Sequence, residues 1–255
     1  MSGALYREAV LTPNADGTRP LKLHLGCGKN RLEDDWVNCD LDPAPHVDCA
    51  FDAQKDWPFP DNSAGIVYAS HMLEHLTDPF TFMREAHRVL MPGGEMTLRT
   101  PYGGHRSAWW DLTHIRPWFP ESFCMFQPGH AACTGNPQHE GWQWPFAIHC
   151  VDMRIAGNFR PWVRWRPIRK VALAMGRSLA EFTEEIWVYM QALKTPEAVA
   201  EYEARRPHFG NAVFTRWVMY RHQWEGRAHP DPGERLDLMW LGDDLVTAAW
   251  AEVVS

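Results

Sequence analysis

A chain of 255 residues with 45% hydrophobic and 22% charged residues can bury a full core without staples, as one large domain or as a domain with an appendage. Its formal net charge of −7 excludes a general attraction to polyanions, and no stretch approaches the roughly 20 apolar residues of a membrane span. Six cysteines without a C-x-x-C pair, and Arg7 and Glu8 in place of an apolar leader, read as the reduced thiols of a cytoplasmic protein.

Residues 1–20 form a polar lead-in that closes on Asn14-Ala15-Asp16-Gly17 and Pro20. Two short apolar strands follow, Leu21–Leu25 and Trp36–Asp40, and only Gly26 to Asp35 separates them. Parallel strands need a crossover of about a dozen residues, so either the first helix is cut to a single turn or the strand limits shift by a few positions. The first strand stops at Gly26-Cys27-Gly28, where missing side chains let backbone N–H groups approach a ligand. The second ends at Asp40, placed to accept hydrogen bonds from a ribose. A tight turn beside a surface aspartate explains the same residues.

Val47–Phe51 extends this region or connects it to Asp52, and the prolines of Asp56-Trp57-Pro58-Phe59-Pro60-Asp61 forbid a central strand there. Gly65–Ala69 reads as a third buried strand with Ser70-His71 at its carboxyl end. Asp78-Pro79 opens an amphipathic helix that buries Phe82, Met83, Ala86, Val89 and Leu90, with Pro92-Gly93-Gly94 as its stop and Glu95–Thr100 as the next strand. Strands alternating with helices imply a parallel, helix-covered sheet. From Pro101 to Gly141 the chain is a Gly-, His-, Trp- and Pro-rich segment too long for a plain connection, which suggests a functional loop. Beyond it, Phe146–Ile155 and Glu185–Leu193 read as strands, and Ile168–Phe182 and Pro196–Arg206 as helices. The tail from Asn211 carries an apolar patch at Leu238–Leu241 and a short helix near Val246–Val254.

Read together, Leu23-His24-Leu25-Gly26-Cys27-Gly28, Val37-Asn38-Cys39-Asp40, Pro58-Phe59-Pro60-Asp61-Asn62-Ser63, Ser70-His71-Met72-Leu73-Glu74-His75 and Arg88-Val89-Leu90-Met91-Pro92-Gly93-Gly94 resemble a class I S-adenosylmethionine-dependent methyltransferase with a shortened first helix. The resemblance spans residues 21 to about 123 and, weakly, Glu185–Leu193. It implies a Rossmann-like α/β fold, with a mostly parallel seven-stranded sheet whose last strand is antiparallel. S-adenosylmethionine would lie across the strand tips. Mapped residue by residue, Gly26, Cys27 and Gly28 would line its methionine portion, Asp40 with Leu41 its ribose, Asp52 with Ala53 its adenine, and Ser70 and His71 the methyl group. His24 stands where the family usually places Asp or Asn near the cofactor's amino group, and Ala64-Gly65 replaces a usual Phe-Asp. On this reading residues 21–210 are the methyltransferase domain, 101–180 its acceptor side or lid, and 211–255 a C-terminal extension.

An oxygen acceptor must lose a proton, and histidine is the commonest base near neutral pH. Asp111-Leu112-Thr113-His114 offers His114 as base or substrate ligand with Asp111 as its partner, or a hydrogen bond that pins the loop. His71 at the strand end is a further catalytic candidate. His130, Cys133, His139, His149 and Cys150 match no paired metal-ligand spacing, so no metal is expected. Arg154, Arg160, Arg164, Arg166, Arg169 and Lys170, interleaved with Phe159, Trp162 and Trp165, could grip a phosphate, a stacked base or a lipid interface, or form a solvated face beside core tryptophans. The expected activity is therefore methylation of a small-molecule or saccharide-like acceptor at oxygen. A nucleotide or modified base, and a cofactor fold that has lost catalysis and serves as an interaction module, are the rivals.

Overall fold

The computed structural model describes residues 19–32, 35–128, 143–159, 162, 180–205 and 215–218. Leu21–Leu25 (β1) lies parallel between Trp36–Asp40 (β2) and Ala64–Ser70 (β4), with Leu23 facing Val37 on one side and Val67 on the other. These strands are apolar because both faces are covered, as parallel sheets require. Cys49–Ala50 (β3) adds to the outer edge of β2, and Leu90–Pro101 (β5) to the far side of β4, both parallel. Thr183–Ala192 (β7) then runs antiparallel between β5 and Phe146–Ile155 (β6), and Thr215–Val218 (β8) closes the sheet parallel to β6. The order is β3-β2-β1-β4-β5-β7-β6-β8.

The described sheet is mostly parallel with its seventh strand antiparallel, as expected, and β8 adds an eighth strand where seven are expected. β8 falls in the tail, where no strand is expected. Pro79–Val89 (α1) is capped by Asp78, whose side chain accepts from Phe80 N and Thr81 N, with Pro79 in the first turn, where its missing N–H costs nothing. Phe82, Met83, Ala86 and Val89 are its buried face. The helix stops before the Pro-Gly-Gly expected to end it, because Leu90 is already extended and pairs with Ala64. Pro92, Gly93 and Gly94 are absorbed into β5 at a register shift, with Gly93 at φ +75°. Pro196–Arg205 (α2) matches its expected span. The expected helix over Ile168–Phe182 lies outside the described residues except for 180–182, a turn leading into β7, and the tail elements at 238–241 and 246–254 lie wholly outside them.

Asn38 explains how β1 reaches β2 through so short a connection. It is fully buried, and its side-chain oxygen accepts from Leu32 N at 2.7 Å while its amide donates to Leu32 O at 2.9 Å. The same amide lies 3.2 Å from Asp48 Oδ2, which also accepts from the Asn38 backbone N–H at 2.9 Å. One side chain therefore supplies the backbone partners that a crossover helix would otherwise provide. Asn38→Ala strands the buried Leu32 amide and carbonyl, and the expected loss of stability is about 3 kcal/mol or more. Urea denaturation measures it, and a loss well under 1 kcal/mol would mean the segment is held some other way.

Candidate active site at the strand tips

Because β1, β2, β3 and β4 run parallel, their carboxyl ends converge on one edge, and the chain leaves that edge through Gly26, Leu41, Phe51 and His71. Open α/β sheets bind ligands there, where successive loops diverge. Gly26 and Gly28 both take the left-handed backbone that favours glycine, at φ +63° and +51°. A Cβ on Gly26 would fall 3.0 Å from the Met72 side chain, so the first loop passes close against the segment that follows β4. A Cβ on Gly28 would meet nothing within 4 Å. Open space lies in front of that residue.

The Asp40 carboxylate stands beside this hairpin. Its Oδ2 accepts from Gly28 N at 2.7 Å and its Oδ1 from Leu41 N at 2.8 Å, and Cys27 N donates to Cys39 O at 3.0 Å. Leu41 is largely exposed next to it. Further along the edge, Asp52 accepts from Gln54 N, a bond that holds its carboxyl below the ordinary range, and Ala53 is buried under Trp57, whose indole donates to the Ala53 carbonyl. Gln54 Oε1 in turn accepts from Thr77 N and Asp78 N, tying this loop to the start of α1.

His24 is placed differently from these residues. It is 2% exposed, its Nδ1 pairs with Asn38 Oδ1 at 3.1 Å, and its ring packs on Tyr68. Burial lowers its pKa against the opposing pull of Asn38 and Asp40, so the ring is neutral. The Cys27 thiol is also buried, and burial raises its pKa away from thiolate chemistry.

Ser70 ends β4 and His71 follows it at φ +51°. The His71 backbone N–H donates to Arg99 O, and its ring reaches two carboxylates, Glu74 at 3.3 Å through Nδ1 and Glu185 at 3.2 Å through Nε2. Burial disfavours charge on the ring, but the two carboxylates outweigh it and push the pKa up to about 9. His71 is thus an imidazolium at neutral pH, a donor and not a base. Glu185, 3% exposed, also accepts from Arg99 Nε at 2.6 Å, from Arg154 Nη1 and from the Trp187 indole. Arg99 lies over the Trp187 ring.

Asp111 and His114 are brought onto one turn, with 3.8 Å between Asp111 Oδ2 and His114 Nε2. Asp111 Oδ1 is taken by Thr113, from its N–H at 2.9 Å and its hydroxyl at 2.7 Å. This loop is clamped to the 3₁₀ turn Leu73–His75 by Ile115 N donating to Glu74 O at 2.7 Å.

Residues 33–98, which include Asp40, Asp52 and His71, match the family model of a methyltransferase domain. The matched segment is about a quarter of the chain. A probable S-adenosylmethionine-dependent methyltransferase of Mycolicibacterium smegmatis is 39% identical over 57 residues, 22% of this chain and 22% of that protein, so the chain spans about a fifth of the length of the curated relative it matches. Among solved structures, an S-adenosylmethionine-dependent methyltransferase from Archaeoglobus fulgidus is similar at 15% identity and a TM-score of 0.46, covering 74% of this chain and 90% of that one. Another from Mesorhizobium loti is similar at 15% identity and a TM-score of 0.40, covering 67% and 90%.

At the strand tips, the residues that sequence reasoning missed are Glu74, Arg99 and Glu185. An acidic pair opening an otherwise apolar strand, Glu184-Glu185-Ile186-Trp187, was the available sign. Arg154, counted with the basic segment, is turned inward onto Glu185, so it is subtracted from any polyanion surface. Arg160, Arg164, Trp165, Arg166, Arg169 and Lys170 lie outside the described residues, as do His130, Cys133 and His139. Among the described residues no helix is long and apolar enough to cross a membrane.

Proposed function

We propose that the domain binds S-adenosylmethionine along the strand tips and methylates an oxygen of a small-molecule or saccharide-like acceptor. The observation that carries this reading is the hairpin of two left-handed glycines, open in front of Gly28, with the Asp40 carboxylate 2.7 Å from the Gly28 amide. Glycine amides and a lone carboxylate at adjoining strand tips suit a nucleoside whose sugar offers a diol. In this assignment Gly26, Cys27 and Gly28 hold the amino-acid end through backbone groups, Asp40 and Leu41 the ribose, and Asp52 and Ala53 the base. His24 is left out, because its ring is spent on Asn38 and Tyr68.

When bound, S-adenosylmethionine supplies a methyl group on a sulfonium sulfur. The protein's own part is to align the acceptor, exclude water and take up the acceptor's proton. Ser70 and His71 border the reacting centre in this reading, His71 as a fixed hydrogen-bond donor. His114, with Asp111 beside it, faces the acceptor as base or ligand. Residues 101–180 then form the acceptor side of domain 21–210, where Trp109, Trp110 and Leu112 are exposed after β5. A nucleotide acceptor draws less support, since Arg154 is committed to Glu185.

Isothermal titration calorimetry of the full chain with S-adenosylmethionine and with its demethylated product tests the cofactor half. Saturable one-to-one binding is expected. Absence of binding by both would overturn it and favour a fold retained as an interaction module. Mass spectrometry of small molecules that copurify with the chain addresses the acceptor.

A further inference from the structure

Among the described residues, Glu74, His75 and His114 alone bring three potential metal-ligand atoms within 4.8 Å of one another. Each has one position already directed by its surroundings. His75 Nδ1 sits 3.2 Å from Thr113 O and 3.1 Å from Thr113 Oγ1. A ring that donates from Nδ1 to a carbonyl presents its Nε2 lone pair. His114 turns Nε2 toward Asp111, 3.8 Å away, and keeps a buried Nδ1 that meets no hydrogen-bond partner, on a side chain only 9% exposed. Glu74 accepts from Thr100 Oγ1 through Oε2 at 3.1 Å, which leaves a buried Oε1 with no hydrogen bond and His71 Nδ1 3.3 Å away.

Glu74 Oε1 has the His71 ion pair as its only partner, and the buried His114 Nδ1 has none, a costly arrangement that a further electron-pair acceptor in this corner would relieve. The rings of His75 and His114 meet edge to face at 4.8 Å, and the corner is rigid. Ile115 N donates to Glu74 O, and Arg116 Nη2 donates to Thr77 O at 2.9 Å, so the loop carrying His114 is fixed to the turn carrying the other two ligands. Carbonyl and carboxylate groups behind metal-bound histidines fix the ring orientation in the same way that Thr113 and Asp111 do here.

We propose that Glu74, His75 and His114 bind a divalent first-row transition ion, with zinc as its probe, so that His114 meets the acceptor through the ion and not as a free base. Two imidazoles and one carboxylate exclude magnesium and calcium, which take oxygen ligands. Three protein ligands leave a coordination position open, the pattern of reactive sites and not of structural ones. Glu74 and His75 are adjacent and His114 follows 39 residues after His75, so no spacing motif announces them.

The test is zinc binding by the full chain, stripped with a chelator and reloaded, with bound metal read by mass spectrometry and cobalt substitution read by visible absorption. About one zinc per chain and a cobalt spectrum of four- or five-coordinate character are expected. His75→Ala, whose ring is exposed and whose loss leaves the core intact, should weaken zinc at least about 100-fold, more than the change of a supporting group would. His114→Ala should do the same. Folded parent chain that takes up only substoichiometric zinc, or His75→Ala that binds zinc as the parent does, would overturn the assignment. Neither readout depends on S-adenosylmethionine, so its failure and that of the methyl-transfer reading are separable.

Discussion

An Asp40→Ala chain is expected to bind S-adenosylmethionine about 100-fold more weakly than the parent, which corresponds to losing one or two charge-assisted hydrogen bonds at about 1.5–3 kcal/mol each. The carboxylate is partly exposed and its fixed partners are three backbone amides, Gly28, Leu41 and, at 3.4 Å, Asp42. These amides can turn to water in the variant, so the unliganded chain should melt within a few degrees of the parent. Asp40→Asn is expected to fall between the two, because one oxygen can accept from a ribose hydroxyl or from Gly28 but not from both. A ligand lacking the ribose hydroxyls separates the two duties of the carboxylate. It should bind parent and Asp40→Ala almost equally, whereas a persistent large gap would mean that Asp40 acts only by holding the hairpin. Unchanged affinity for S-adenosylmethionine itself would remove Asp40 from the site.

Glu185→Gln should be the most destabilising single change at the strand tips, at about 3–5 kcal/mol, the range for breaking a buried ion pair by removing one partner. The substitution keeps the shape but leaves Arg99, Arg154 and His71 around a neutral group, with an amide that must point a donor at one of them. For a domain of this size the loss corresponds to a fall in Tm of roughly 10 °C. The pH dependence has a definite sign. The hydrogen bond from His71 and the charges of Arg99 and Arg154 outweigh burial and hold the Glu185 pKa well below the ordinary carboxylate range. A depressed folded-state pKa contributes stability above the unfolded value of about 4.5 and loses it as pH falls toward the folded value. The Glu185 share of the gap should therefore narrow in acid, while the share carried by His71, whose pKa Glu185 helps push up to about 9, is full below about pH 6.5 and falls as pH rises toward 9. Thermal melts across pH measure this, and a variant within 1 kcal/mol of the parent would show that the network is neutral overall.

β1, β2, β4 and α1 were legible because local signals agree in them: an apolar run ending in glycine, a β-rich run ending in aspartate, and an Asp-Pro helix start before a regular apolar stripe. The Gly26–Gly28 and Asp40 pairing could be read for the same reason, since each lies at the end of such an element. The start of β5 was misjudged because Pro92-Gly93-Gly94 is as good a bulge as a stop, and only pairing with Ala64 decides between them. The Glu185 cluster was hidden because its members, at positions 71, 99, 154 and 185, meet only through the pairing of β7 with β5 and β6. The corner of Glu74, His75 and His114 was half visible. His114 stood out beside Asp111, but nothing local says that the loop folds back onto Glu74.

The short β8 has a consequence for anyone who trims this chain. Thr215–Val218 covers the outer side of β6 by pairing with Val151–Arg154. A version ending after α2 would bare the unsatisfied N–H and C=O groups of Val151–Arg154, an adhesive border that invites a second molecule to dock strand to strand. Clumping of such a shortened form would then report a missing cover strip, not a damaged catalyst.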